Sequence, residues 1–121
     1  MPVLLDIDKF QQLYRRTLRA AGVTDEAVYI KLDRIRSGKI RVLTHVTVEN
    51  QTNAFTKCRL GIDHSGLIHY LDELQTIAAD ELAVSRSDIP LGEGDRFFAE
   101  LTGTTTGDVL VMTCVGWEQS L

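Results

Sequence analysis

Cysteine, proline and tryptophan are scarce in this chain, with two, two and one in 121 residues, and Lys and Arg are outnumbered 13 to 17 by Asp and Glu. Each shortage narrows what the protein does. Cys58 and Cys114 are far apart and form no Cys-x-x-Cys spacing, which excludes a thiolate zinc knuckle and a dithiol redox motif. Both lie in apolar, strand-like runs where reduced buried thiols are expected; a disulfide would require the two strands to be neighbours. That usage fits synthesis in a reducing cytoplasm. A net charge of −4 argues against a general nucleic-acid coat, because phosphate binding draws on surplus Lys and Arg. No apolar run approaches the roughly 18 residues of a membrane span. The opening MPVLLDIDKF lacks the basic and long apolar regions of a secretory signal, so none is expected.

Signatures of catalysis are also missing. There is no GxSxG elbow, P-loop, dinucleotide fingerprint or HExxH. Asp6 and Asp8 form an Asp-x-Asp at the start of a periodic segment, where capping explains them better than calcium. GEGD (92–95) precedes a strand, whereas a phosphate cradle opens a helix. The pairs Asp72–Glu73 and Asp80–Glu81 carry no sign of converging on a cleft. His45, His64 and His69 are the nearest approach to a metal cluster, but joining them requires a favourable bend, and surface histidines are expected. No catalytic, cofactor-binding or metal site is predicted.

What is present is a change of period. At 44% hydrophobic and 25% charged, the chain has the composition of a globular domain, and its length predicts one domain over 1–121. Phe10, Leu13, Tyr14, Thr17, Leu18 and Ala21 recur at helical spacing before Gly22, so the first 24 residues are expected to hold one α-helix. From residue 25 the period is two. VYIKLD places Val28, Ile30 and Leu32 on one face. KIRVLTHVTVE places Ile40, Val42, Thr44, Val46 and Val48 inward and Lys39, Arg41, His45, Thr47 and Glu49 outward. AFTKCRLGI returns after ENQTN, DHSG turns into LIHYLDEL, and AVSRSDI is a short strand closed by Pro90. RFFAELT, the tip GTTTG and VLVMTCVGW form a final hairpin. One helix and seven or eight strands, without βαβ alternation, predict an antiparallel β-sandwich or small barrel with an N-terminal helix.

Two features stand out as surfaces. The last strand is apolar on both faces: Val109, Val111, Val115 and Trp117 on one, Leu110, Met112 and Cys114 on the other. Phe97 and Phe98 repeat the pattern. Either the helix or another subunit must cover the second face. Phe98, Leu110, Met112, Cys114 and Trp117, with the tip residues Thr104, Thr105 and Thr106, are therefore candidate interface residues. Arg15, Arg16 and Arg19 are candidates for gripping an acidic partner or a polyanion, beside the simpler role of complementing a helix dipole.

VTVENQTNAFTKCRLGI, LIHYLDELQTIAADEL and IPLGEGDRFFAELTGTTTGDVLVMTCVGWE together resemble the small β-sandwich structural proteins of tailed bacteriophages. The likeness covers residues 40–118 and rests on turns: Asn50 to Asn53, Leu91 to Asp95, and Gly103 to Asp108. It implies a non-enzymatic head–tail connector or neck protein assembling as a homo-oligomeric ring, or a capsid decoration or tail accessory protein. The partners it implies are copies of the chain and other virion proteins, with packaged DNA nearby, and the location it implies is the virion after assembly in the host bacterial cytoplasm. It implies no cofactor, membrane or small-molecule substrate. A carbohydrate- or ligand-binding β-sandwich module is the rival from another class, and a barrel enzyme using the three histidines is a further one.

Overall fold

A computed structural model describes residues 12–121. Nine strands make up its regular structure: β1 (Gln12–Ala21), β2 (Val28–Lys31), β3 (Lys39–Asn50), β4 (Phe55–His64), β5 (Leu67–Ile77), β6 (Ala83–Ser85), β7 (Ile89–Leu91), β8 (Asp95–Thr102) and β9 (Val109–Ser120). They form two antiparallel sheets, one ordered β1-β9-β3-β6 with β7 also on β3, the other β2-β8-β4-β5. The architecture is an open β-sandwich and not a closed barrel.

The expected helix is overturned over residues 12–21, which form the edge strand β1; Asp6, Asp8 and Phe10 lie outside the described residues. Tyr14, Leu18 and Ala20 turn toward the core while Leu13, Arg15, Thr17 and Arg19 turn outward, an alternation of two that also fits the apolar spacing read as helical. Pairing along all ten residues with β9 decides between the periods. The segment therefore lies beside β9 in its sheet and does not lie over its outer face.

Leu43, Val46, Val48, Leu110, Met112 and Cys114 from one sheet meet Cys58, Leu60, Phe97, Ala99 and Leu101 from the other in a fully enclosed core. Each enclosed large aliphatic or Phe side chain contributes about 1.5–3 kcal/mol relative to exposure. Both thiols are buried and free, and burial pushes each up to about 12, so they are inert core residues.

β3 departs from the expected register. A bulge at Thr44 separates the pairs Leu43–Gly116 and His45–Val115. Odd residues face inward before it and even residues after it, so Arg41 is buried while Ile40 and Val42 turn outward. Gly116 lies opposite: a Cβ there would sit 1.9 Å from the Val42 carbonyl oxygen.

Two expected hairpins are arches between sheets. ENQTN carries the chain from β3 to β4, and GTTTG carries it from β8 to β9, each crossing from one sheet to the other. The second arch is stitched to the residues after β1. Val23 N donates to Thr104 Oγ1 at 3.2 Å, Thr24 N to Thr106 Oγ1 at 3.1 Å, and Thr106 N to Thr24 Oγ1 at 3.0 Å. The turn DHSG does close a hairpin, β4–β5, with Ser65 and Gly66 both at positive φ.

Candidate functional site

The outer face of the four-stranded sheet carries a compact group of aromatic and charged side chains. Strand register sets them in two rows. Tyr29, Glu100, Arg59 and Glu73 form one, and Lys31, Phe98, Gly61 and Tyr70 form the next. Alternation along β2, β4 and β8 sends Ile30, Cys58, Leu60, Phe97 and Ala99 inward, which leaves these residues on the opposite face.

Phe98 is the floor. Although it belongs to the outer face it is only 2% exposed, because Tyr29 and Tyr70 stand on either side, 45% and 41% exposed. The ring centroids are 6.0 Å from Phe98 for Tyr29 and 5.9 Å for Tyr70, tilted and edge-on respectively, the offset arrangements aromatic pairs favour. Gly61 makes room for the floor, since a Cβ there would lie 2.8 Å from Phe98 Cζ. A bulge at Leu71 brings Tyr70 opposite Gly61. Between Tyr29, Lys31, Asp63, Ile68 and Phe98 lies a shallow pocket of about 100 Å³.

The polar groups are fixed around this floor. Tyr29 donates its hydroxyl hydrogen to Glu100 Oε2 at 2.6 Å, and that bond, with burial and the carboxylate charge, pushes the phenol up to about 12. Arg59 lies 4.0 Å from the Tyr70 ring centroid, donates to Glu73 Oε1 at 2.9 Å and stands 3.9 Å from Glu100. Arg34 reaches Asp63 at 3.4 Å, and the Gly66 amide and this arginine hold the Asp63 carboxyl below its ordinary range. Hydrogen bonds from Gln75 and Arg59 likewise lower Glu73. Arg34, Arg59 and the carboxylates named here are thus paired, while Lys31 lies over the Tyr29 ring at 5.6 Å and Ile68 adds an exposed aliphatic group to the aromatic surface.

The residues singled out in the sequence fall elsewhere, Phe98 excepted. Leu110, Met112 and Cys114 are enclosed in the chain's own core, so no partner reaches them. Trp117 is partly buried on the outer face of the five-stranded sheet beside Leu13 and Val42. Thr105 and Thr106 are exposed, but Thr104 is buried in the stitched arch. Arg15 and Arg19 face outward from β1 while Arg16 is on the Tyr14 side, so the three do not form one cluster. The histidines are dispersed: His45 is on β3, His69 on β5, and His64 pairs with Asp95 at 2.6 Å. Among the described residues no three His, Cys, Asp or Glu side chains gather as metal ligands.

Tyr29 and Tyr70 escaped sequence reasoning because they sit in separate strands 41 positions apart. The signal was present in period two: in VYIKLD the residues opposite the apolar set are Tyr29, Lys31 and Asp33.

No protein-family model and no curated protein sequence matches the chain. Solved structures do resemble it in fold. A subunit of the disulfide-linked pili that form Bacillus endospore appendages superposes with a TM-score of 0.53 at 12% identity, covering 93% of this chain and 89% of that one. A protein assigned as an α-L-fucosidase from Bacteroides thetaiotaomicron superposes with a TM-score of 0.51 at 7% identity over 80% of this chain. This chain spans only 21% of that protein. A family 29 carbohydrate-binding module aligns more loosely, at a TM-score of 0.45 and 12% identity, covering 93% of this chain and 82% of the module. At these identities the likeness is one of β-sandwich fold.

Proposed function

We propose that the protein is a non-catalytic binding module whose outer four-stranded face, around Tyr29, Phe98 and Tyr70, takes a neutral polyhydroxylated ligand, a glycan. The observation that carries this reading is the pair of half-exposed tyrosines flanking a buried Phe98. Large aromatic groups held at a surface by a rigid sheet offer apolar faces to the C–H side of a sugar ring. The flanking Glu100, Arg59, Glu73 and Asp63 offer oriented donors and acceptors to its hydroxyls. Because those charges are already paired, the face suits a neutral ligand better than a polyanion. The test is a glycan array followed by calorimetry with Tyr29→Ala and Tyr70→Ala. Each substitution is expected to weaken binding at least tenfold, about 1.4 kcal/mol, without loss of fold. Absence of any glycan whose binding these substitutions weaken would sink the reading.

A second reading, a structural subunit that assembles with copies of itself, has its own observation. β1 and β5 are edge strands of different sheets at opposite flanks of the sandwich, β1 stacked against β2 and β5 against β6. Over Gln12–Ala21, β1 carries Arg15, Arg16 and Arg19 and no acid; over Leu67–Ile77, β5 carries Asp72 and Glu73 and no Lys or Arg. β5 also exposes Leu67, Ile68 and Leu71. An edge of this kind is a template for pairing with another chain. Addition of β1 of one copy to β5 of the next is heterologous and propagates as an open array. This reading keeps the homo-oligomeric part of the tailed-phage resemblance; none of the similar structures just described is a phage protein.

A further inference from the structure

A second site lies at the end of the sandwich where the β2–β3 connection passes β1 and β9. A cavity of about 260 Å³ is lined there by Tyr14, Arg16, Asp33, Arg34, Arg36, Lys39, Arg41 and Glu118. Five cations and two carboxylates line it, a local excess of positive charge in an acidic chain.

Arg41 is the centre of this site. The bulge at Thr44 turns it inward, where it is 4% exposed. Its Nε and Nη2 donate to Glu118 Oε2 at 3.0 and 2.8 Å, and Nη2 also reaches Asp33 Oδ2 at 3.4 Å. Its guanidinium carbon lies 4.0 Å from the Tyr14 ring centroid. That leaves Nη1, which is buried and has no hydrogen-bond partner among the described residues; the buried Tyr14 hydroxyl is in the same position. An unpaired donor out of water costs about 1–3 kcal/mol, more on a charged group. Both residues line the cavity, and two unpaired donors beside it are a provision for an acceptor. Burial also holds the Tyr14 phenol up to about 12, so it stays a neutral donor throughout the working range.

The geometry points to an oxyanion site: this cavity binds a phosphate or sulfate group, with Arg41 Nη1 and the Tyr14 hydroxyl as inner donors and Arg16, Arg36 and Lys39 closing on it from the rim. The volume suits a small group, below the roughly 300–1,000 Å³ of drug-sized pockets. Tetrahedral dianions take several charge-assisted hydrogen bonds at once, which a fan of guanidinium groups supplies. Asp33 and Glu118 hold the inner arginine in place, Asp33 also standing 4.0 Å from Arg16, and Arg36 and Lys39 carry the remaining charge at the rim. This site is separate from the aromatic face, although Arg34, which lines it, pairs with Asp63 at the edge of the aromatic pocket.

The test is amide chemical-shift titration of the whole chain with inorganic phosphate and with sulfate, against chloride at matched ionic strength. Saturable shifts at Arg36, Ser37, Gly38 and Lys39 are expected with phosphate or sulfate and not with chloride. Arg41→Gln and Tyr14→Phe remove the inner donors, and because both are packed they are checked for folding first. Arg16→Gln and Arg36→Gln alter exposed rim residues, leave the fold intact and are each expected to raise the Kd on the order of tenfold. Tyr29→Ala is expected to leave phosphate binding unchanged. Shifts that rise linearly, or that chloride reproduces, or a double Arg16→Gln, Arg36→Gln variant that binds phosphate as tightly as the parent, would overturn the assignment.

Discussion

The Tyr29 hydroxyl and the Glu100 carboxylate meet across β2 and β8 at 2.6 Å, the shortest polar contact on the aromatic face. The phenol titrates near 12 in the fold against 10.0 for a free tyrosine. A folded value above the unfolded one means the native chain keeps this proton after the unfolded chain has lost it. The contact's stabilisation is therefore complete below about pH 10 and is lost as pH rises from there toward 12. In a phenolate absorbance titration, Glu100→Gln is expected to move one late-titrating tyrosine back toward 10. A titration curve unchanged by Glu100→Gln would show that the carboxylate does not hold Tyr29.

Much of the fold was legible in the sequence, and the misses have local physical causes. Strong alternation in VYIKLD and AFTKCRLGI identified β2 and β4 and turned Ile30, Cys58 and Leu60 inward, but it also set Ala54 inward, where Phe55 is the buried residue and Ala54 is exposed. In β9, Leu110, Met112 and Cys114 face the core, opposite the Val109, Val111, Val115 and Trp117 set, as the two apolar faces required. β1 misled because Tyr14 and Leu18, four residues apart, suit a period of 3.6 as well as a strand, and only pairing with β9 separates them. Arg41 was placed outward because a bulge adds one residue without a compositional mark. GTTTG looked like a hairpin tip since glycine at both ends serves an arch equally well; Gly103 and Gly107 both have positive φ. Of the aromatic face only Phe98 was singled out in the sequence, since the row order that joins it to Tyr29 and Tyr70 depends on which strands are neighbours.

Gly61 is the residue on which the aromatic floor depends. A Cβ at this position would stand 2.8 Å from Phe98 Cζ and 2.7 Å from the His69 carbonyl oxygen, and the latter is backbone that yields little. Gly61→Ala is expected to destabilise the chain by about 1–3 kcal/mol, as overpacking does. It should also displace Phe98 and so lower the proposed affinity for a glycan. Thermal melting and calorimetry read the two effects separately, and a melting temperature equal to the parent's would contradict the close approach.

Asp108 anchors the second arch. It is buried and accepts from Asn50 Nδ2 at 2.8 Å, Asn53 Nδ2 at 2.6 Å and Thr105 N at 2.8 Å. Burial raises its pKa, but these three donors outweigh it, and the net direction is below 3.8. A lowered folded value gives stability that is present above the unfolded pKa and lost as pH falls through the folded one. Asp108→Asn turns an amide donor toward three donors and is expected to cost on the order of 2–3 kcal/mol near neutral pH. The gap between parent and variant should shrink in acid. Equal denaturant midpoints at neutral pH would contradict the anchoring role.

Opposite charges on β1 and β5 make self-assembly testable by complementation. Cross-strand charge pairs contribute roughly 0.2–1 kcal/mol each, and like charges oppose pairing by similar amounts. Arg15→Glu with Arg19→Glu makes both edges acidic, while Asp72→Lys with Glu73→Lys makes both basic. Either double variant alone is expected to lose at least tenfold in association constant by light scattering. A mixture of the two restores an acidic edge against a basic one at every contact, in both directions along the array. Assembly is therefore expected to return on mixing, and to weaken on the order of 1 M salt, where the Debye length is about 3 Å. Parent protein that remains monomeric at all concentrations, or variants that assemble as well alone as mixed, would exclude edge-to-edge addition and leave the aromatic face as the chain's principal interaction surface.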